Sequence, residues 1–292
     1  FHTIIWPSII MGLNHANKGL DFSTPPSLPG PGELHLEDNV PAMEYLMLAG
    51  GQFSKSRKHA IWLPSFLERF DPDTLRYYLS INMPENHDTD FNWPDFVERV
   101  NAELIAAYGN FVHRVLTLGN RLPESMPLHS FEDLTYCTEE INKLESLHAQ
   151  ITSSLERHRF KEALRFSMNA AQLGNQMLQN ATPWTYLNDL TQDGSKESMA
   201  KLSFGWRLCR YLAITMQPFL PFSSEKLWKM LGENGKCETQ KWYSAIDWDC
   251  AAKWNNHDPK PLFNRLDLNE ILEQEKGLAE ISDESNADPS HN

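Results

Sequence analysis

The stretch NWPDFVERVNAELIAAYGNFVHRV, residues 92–115, decides the fold. Phe96, Val100, Leu104, Tyr108, Phe111 and Val115 recur at steps of three and four and draw one apolar stripe along a helix. Asn92 can cap that helix, and Pro94 falls in its first turn, where a missing N–H costs little. Toward the C-terminus, beyond a connection containing Pro123 and Pro127, a second helix starts at about Glu139, with Ile141, Leu144, Leu147, Ile151 and Leu155. A third carries Phe160, Leu164, Met168, Ala171 and Met177. A fourth runs from Ser195 to Met216, with Met199, Leu202, Trp206, Cys209 and Leu212, and is stopped by Pro218 and Pro221. A short fifth, Ser224 to Leu231, ends at Gly232 as its C′ residue. The lengths of the connections predict an antiparallel helical bundle. Trp242, Trp248 and Trp254 mark an ordered segment after it, and the acidic chain beyond Glu270 is expected to fray.

Toward the N-terminus, two short helices between Leu63 and Leu79 are broken at Asp71-Pro72, and the polar stretch Asn82–Asn92 is expected to be loop. Tyr45-Leu46-Met47-Leu48 reads as a buried strand running into Gly50-Gly51, and the loop Gln52-Phe53-Ser54-Lys55-Ser56-Arg57 follows at once. Strand, glycines and polar loop in that order are how an α/β enzyme presents a phosphate-contacting group at the carboxyl end of a strand. Thr24–Gly32 is loop by its Pro and Gly content, and Thr3–Leu13 is an apolar run interrupted by Pro7. The fold class is therefore mainly α, a bundle preceded by an α/β piece.

Composition sets outer bounds. The chain has 292 residues, 41% of them hydrophobic and 22% charged, which suits a globular protein of one large or two modest domains. Eight acids against one Lys (Lys276) lie from Asp267 onward, so the preceding 266 residues carry only −6 of a net charge of −13. A local surface for nucleic acid is compatible with that distribution, whereas a broad basic stripe is not. Cys137, Cys209, Cys237 and Cys250 are scattered without a Cys-x-x-Cys spacing, which argues against a zinc knuckle and against a disulfide framework. No apolar run reaches the roughly 18 residues of a membrane helix. The start, Phe1-His2-Thr3-Ile4-Ile5-Trp6-Pro7, lacks the features of a signal peptide and reads like the middle of a domain, so a cytoplasmic protein and a piece of a longer one are expected.

Four groups of residues carry candidate chemistry. Lys55, flanked by Ser54 and Ser56, offers a compact cation and two hydroxyl donors able to follow charge building on a phosphate; the bland alternative is a solvated loop. Asn110 and Arg114, four apart on the first bundle helix, project together, one able to read a base edge and the other to stack or donate in a bidentate way; the alternative is a solvated helix flank. Trp184, after Pro183, is a turn aromatic of the kind that RNA readers stack on unpaired bases, or else a plug over the end of the bundle. Phe1, His2 and Trp6 are either one wall of an apolar pocket or core aromatics with a satisfied core histidine.

Taken with their order and spacing, these pieces resemble the class I aminoacyl-tRNA synthetases. Gln52-Phe53-Ser54-Lys55-Ser56 is similar to that family's Lys-Met-Ser-Lys-Ser loop, which ends the Rossmann-like catalytic domain and precedes a helical domain. The resemblance implies that Lys55, the motif's second lysine, stabilises the ATP phosphates, with Ser54 and Ser56 beside it. Gln52 replaces the motif's first lysine and removes one positive charge there.

The resemblance is closest to the methionyl family. Phe1-His2-Thr3-Ile4-Ile5-Trp6-Pro7 looks like the segment whose Phe, His and Trp line that family's amino-acid pocket, implying methionine binding by Phe1, His2 and Trp6. Asn110, Arg114, Pro183 and Trp184 match its anticodon-reading residues. Phe91–Asn101 looks like its entry into the first bundle helix, and Pro259-Lys260-Pro261-Leu262-Phe263 like its segment after the bundle. The domains implied are residues 1–62, the end of the catalytic domain; 63–92, a stem-contact and linking region; 93–232, the helical anticodon-binding bundle; and 233–292, a C-terminal segment with an acidic tail.

The activity implied is that of a methionine–tRNA ligase, using ATP with Mg2+ as substrate and tRNA(Met), read at its CAU anticodon, as partner. The family's His-x-Gly-His segment and its zinc-binding cysteines are not found between Phe1 and Asn292, so no metal ligand is expected here and the fragment alone is expected to be inactive. Two other readings stay open: a non-catalytic RNA-binding helical module of synthetase ancestry, and a class I synthetase for Leu, Ile, Val or Cys.

Overall fold

A computed structural model describes residues 1–21, 23, 28–122, 131–250 and 259–284, the side chains of 131–133 and 277–284 excepted. Pro123, Pro127 and Trp254 of the sequence reading lie outside the described residues. The chain forms two compact units, Phe1–Met43 and Glu44–Asn292.

The first unit is built on α1, Ile5–Asn17, with Pro7 tolerated in its first turn. The buried Asn14 side chain closes a loop back onto it, accepting from the Leu34 N–H at 3.0 Å and donating to the Leu34 carbonyl at 2.8 Å. Lys18 and Glu33 pair at 2.6 Å across the same closure.

The second unit opens with β1, Leu46–Leu48, and a turn in which Ala49 and Gly50 both take positive φ, 46° and 77°. Two left-handed residues in succession make the tight primed turn in which glycine is favoured, and reciprocal Leu48–Gly51 hydrogen bonds of 2.8 and 2.9 Å close it. β1 pairs in parallel with β2, Thr89–Phe91, in the register Leu46↔Thr89 and Leu48↔Phe91. The sequence reading placed Asn82–Asn92 in a loop. Thr89 and Phe91 are buried on one side of β2 while Asp90 turns outward, a three-residue alternation too short to stand out in a polar stretch.

Helices α2 (Leu63–Arg69) and α3 (Pro72–Ile81) break at Asp71, whose side chain accepts from the Asp73 N–H as an N-cap. The next helix starts as α4, Trp93–Arg99, capped by Asn92 accepting from the Asp95 N–H at 2.9 Å. It then widens into a π-helical segment, Val100–Gly109, and returns to α-geometry in α5, Asn110–Gly119. The predicted stripe, Phe96 through Val115, is fully buried.

Three long helices complete the bundle: α6 (Thr138–Glu156), α7 (Phe160–Ala181) and α8 (Ser195–Met216). The α6–α7 connection is three residues long, with His158 in the left-handed region, and turns the chain back on itself. α8 is the central helix: every residue from Leu202 to Met216 is buried, so it keeps none of the outward polar positions of a surface helix. Pro221 opens α9, Pro221–Met230, at a helix start rather than ending α8, which stops before Pro218.

Beyond α9 the described residues 232–250, with 3-10 turns at Cys237–Thr239 and Trp242–Ile246, and 259–267 lie on the bundle as a strap. Trp242 stacks on His148 at 5.1 Å, Trp248 packs against Phe204 and Tyr211, and Leu262 and Phe263 are buried. Asn101, in the π-helical segment, holds the strap from both sides, donating to the Leu266 carbonyl at 2.8 Å and accepting from its N–H at 3.0 Å. Of the acidic stretch expected to fray, residues 285–292 lie outside the described residues, and the described part is helical, α10, Leu268–Glu284. Asp267 caps it through the Asn269 and Glu270 N–H groups, Ile271 is buried, and Glu275 pairs with Arg69 at 2.6 Å.

Candidate RNA-binding groove and phosphate loop

The Lys55 loop is held at its base and open at its tip. Ser54 and His59 exchange backbone hydrogen bonds of 2.9 Å, and the His59 ring sits 2.6 Å from the Leu48 carbonyl, tying the loop to the end of β1. Lys55, Ser56, Arg57 and Lys58 form the exposed tip, turned by a Lys58 N–H to Lys55 carbonyl bond of 3.1 Å. The Ser54 and Ser56 hydroxyls are 3.2 Å apart, and the Arg57 N–H donates to the Ser54 hydroxyl. Gln52 to His59 contains three cations and no carboxylate, so the tip is a cationic patch with two hydroxyls at its centre.

In the first unit, Phe1, His2 and Trp6 are exposed, Phe1 at 70% and Trp6 at 44%. Phe1 and His2 meet edge to face at 5.5 Å. Within the unit they lie outside the core.

On the bundle, Asn110 and Arg114 begin α5 where the π-helical segment ends. α7 ends at Thr182 in the left-handed conformation, and a single 3-10 turn, Pro183–Thr185, follows. That turn buries Pro183 and leaves Trp184 half-buried on the core. The Arg114 guanidinium stands 5.4 Å from the centre of the Trp184 ring. Trp184 is thus both anchored and accessible, with a cation against it.

A groove of about 610 Å3 runs from Asn110 and Arg114 between the π-helical segment and α7. Its floor on one side is Ala102, Ala106 and Ala107; on the other stand Asn169, Gln172, Gln176 and Gln179. No carboxylate lines it. The amides escaped the sequence reading, although their 3/4 spacing along α7 and the absence of acids among them were there to see. A neighbouring hollow of about 480 Å3 shares Asn169 and Gln172 but holds Arg99, Glu103, Glu162 and Arg165. There Tyr77 donates to Glu103 at 2.7 Å, Ser154 donates to Glu162 at 3.1 Å, and Arg99 bonds Asp95 at 3.0 Å. Burial and the Glu103 partner both push the Tyr77 phenol upward, so it remains a donor.

Among the described residues no group of three His, Cys, Asp or Glu side chains could hold a metal ion, and no helix is long and apolar enough to cross a membrane. The thiols of Cys137 and Cys237 are pushed up to about 12 by burial and stay protonated.

With this geometry in place, comparison with known proteins is informative. A family model described as tRNA synthetases class I (M) matches residues 1–116, and one described as the anticodon-binding domain of tRNA ligase matches residues 139–287. The chain is 40% identical over 226 residues to the methionine–tRNA ligase of Cytophaga hutchinsonii, covering 76% of this chain and 32% of that protein. It is 35% identical over 279 residues to that of Pyrococcus abyssi, covering 93% and 35%. It is 35% identical over 278 residues to that of Dehalococcoides mccartyi, covering 94% and 45%. Mycobacterium tuberculosis methionyl-tRNA synthetase in complex with methionyl-adenylate has the same fold, with a TM-score of 0.68 at 18% identity over 90% of this chain and 48% of that one. The apo form gives 0.64 over 91% and 48%. The chain therefore spans a third to a half of the length of the relatives it matches.

Proposed function

Because the chain belongs to the methionyl-tRNA synthetase family of class I aminoacyl-tRNA synthetases, we propose that it is the part of a methionine–tRNA ligase that carries the ATP-phosphate loop and the anticodon-binding bundle. The whole enzyme joins the methionine carboxylate to the α-phosphorus of ATP with release of pyrophosphate, then transfers the methionyl group to the end of tRNA(Met). ATP enters with Mg2+ as a substrate, and the site of action is the cytoplasm.

The observation that carries this reading is that Arg114, which lines one acid-free groove together with Asn110, also stands over the ring of Trp184. Trp184 supplies the face on which the first base of the CAU anticodon stacks, Pro183 fixes its turn, and Asn110 and Arg114 supply amide and guanidinium donors to base edges. At the other end of the function, Lys55 with Ser54 and Ser56 steadies the leaving pyrophosphate. Activation is an in-line attack, so positioning and charge stabilisation do the catalytic work and no proton donor is required. Phe1, His2 and Trp6 form one wall of the methionine pocket, where aromatic edges suit a thioether. Residues 1–62 then close the catalytic domain, 63–92 contact the tRNA stem, 93–232 read the anticodon, and 233–292 strap the bundle.

Two assays test this. The full-length protein containing this chain should charge tRNA(Met) with methionine; charging with a different amino acid instead would overturn the reading. The 292-residue chain by itself should bind a CAU anticodon stem-loop more tightly than one with a changed first anticodon base, while showing no methionine-dependent ATP–pyrophosphate exchange. A chain indifferent to the anticodon would count against the assignment of the groove.

A further inference from the structure

The corner between α8 and α9 does not cap itself. Helix ends leave N–H and C=O groups without intrahelical partners, and Pro218, Phe219 and Leu220 carry no polar side chain to meet them. α9 accordingly has no side-chain cap from its own N-cap residue, Leu220. α3 supplies what the corner lacks. Asp73, 150 residues away in sequence, accepts from the Ser223 N–H in the first turn of α9 at 2.6 Å. Arg76, three residues further along α3, donates to the Phe219 carbonyl at 2.7 Å and to the Pro218 carbonyl at 3.0 Å, just past the end of α8. A carboxylate at a helix N-terminus and a guanidinium beyond a C-terminus are the signs that the two helix dipoles favour. Asp73 is fully buried, and its second oxygen has no hydrogen-bond partner among the described residues. An apolar side chain would occupy that position at lower cost than a carboxylate. What the carboxylate adds is direction.

The other end of α3 holds the strand pair from which the Lys55 loop leaves. The Asn82 side-chain amide donates to the Asp90 carbonyl at 2.9 Å, and the Tyr78 hydroxyl is shared between that carbonyl, at 3.2 Å, and the Asp95 carboxylate, at 2.8 Å. The Asp90 carboxylate in turn accepts from the Gly50 N–H at 2.8 Å, in the turn ahead of the loop. α3 is ten residues long, about 15 Å at the rise of an α-helix, and joins the α8–α9 corner to the base of the Lys55 loop as a strut. A tRNA held on the bundle must bring its far end to the reacting centre at the same time, so the angle between the two enters the rate of transfer. A misplacement of about 1 Å can cost about 100-fold. Resting on the ligase reading given above, we propose that Asp73 and Arg76 are positioning residues for the transfer step, holding the bundle at the angle from which bound tRNA delivers its terminus. Neither residue touches the Lys55 loop, whose own Leu48–Gly51 and Ser54–His59 ties are independent of them. Methionine activation therefore does not depend on the strut.

The test compares three readouts on the full-length protein containing this chain: methionine-dependent ATP–pyrophosphate exchange, binding of a CAU anticodon stem-loop, and charging of whole tRNA(Met). The double variant Asp73→Ala/Arg76→Met removes both corner contacts. Exchange and stem-loop binding should each stay within about twofold of the parent, because each uses one end of the strut alone. Charging should fall at least about tenfold, in kcat rather than in the KM for tRNA. Asp73→Asn/Arg76→Lys, which keeps an acceptor and a donor at the same places, should recover part of that loss. Arg76→Met alone, at a half-buried position, keeps the test decisive where the double variant does not fold; it too should lower charging and spare the other two readouts. Charging at the parent's rate in a folded variant would overturn the proposal. A loss of exchange, or of stem-loop binding, in proportion to the loss of charging would also overturn it, since the contacts would then support one site's fold and not the angle between two. A parent protein that binds the stem-loop but charges no methionine would refute the ligase reading, and this inference with it.

Discussion

Phe111 on α5 fills the space into which a side chain on Gly174 of α7 would grow. A Cβ built at Gly174 would stand 2.5 Å from the Phe111 ring and 2.7 Å from the Leu208 side chain of α8. Three helices therefore converge on a position with no side chain, and the approach of α5 to α7 there fixes the width of the groove one turn away. Phe111 and Leu208 are both fully buried, so neither can move into solvent.

Gly174→Ala should lower the unfolding free energy by about 1–3 kcal/mol, the usual cost of overpacking a close-packed core. Denaturant titration reads this as a shift in midpoint at unchanged slope. A variant as stable as the parent would show that the helices separate freely.

Trp184→Ala should weaken binding of the CAU anticodon stem-loop by about 1–3 kcal/mol, the range for losing one stacked base. Arg114→Lys should recover less than its retained charge implies, because a lysine cannot present a planar face or a bidentate fork. Titration calorimetry at one salt concentration separates the two, and equal affinities across the series would sink the assignment.

Lys55→Ala in the full-length ligase should cut the rate of methionine activation by about 100- to 1,000-fold, as expected for removing one preorganised donor to developing charge. The methionine KM should hardly move. Gln52→Lys adds a cation to the same loop and should lower the KM for ATP. Pyrophosphate exchange measures both, and an unchanged rate in the Lys55 variant would remove this lysine from the mechanism.

His148 gives the bundle a defined response to acid. It is 8% exposed, stacked on Trp242 and edge-on to Tyr211, and burial lowers its pKa below 6.5. The unfolded chain therefore binds a proton here before the folded one does. This contribution to stability is complete above the unfolded value and is lost as pH falls from about 6.5 through the lowered folded value. His148→Phe should flatten that part of the stability profile; an unaltered slope would place the acid sensitivity elsewhere.

The bundle was legible in the sequence wherever apolar stripes and caps coincide. Asn92 with Pro94, the Asp71-Pro72 break and the bounds of α8 all follow from local chemistry that tertiary packing reinforces. Two elements were not legible for the same reason: their stability comes from partners remote in sequence. β2 exists because Leu46–Leu48 lies beside it, and α10 because Ile271 finds the core and Glu275 finds Arg69. For the site, single residues such as Lys55 and Trp184 could be singled out, since they are chemically conspicuous. The α7 amides could not, because glutamine on a helix face is ordinary until an acid-free groove is seen in front of it.

The π-helical segment has a consequence for how spacing is read. Phe96, Val100, Leu104 and Tyr108 follow one another in unbroken steps of four. At 3.6 residues per turn each such step overshoots a full rotation by about 40°, so three in a row would carry Tyr108 about a third of the way around the helix from Phe96. Yet all four are fully buried. A wider turn absorbs the overshoot and keeps them in angular phase. It also sets the phase of everything downstream, Asn110 and Arg114 included. A single-residue deletion within Val100–Gly109 would change the winding ahead of Asn110 and Arg114 and reset the angle at which both leave the helix, without changing either of them.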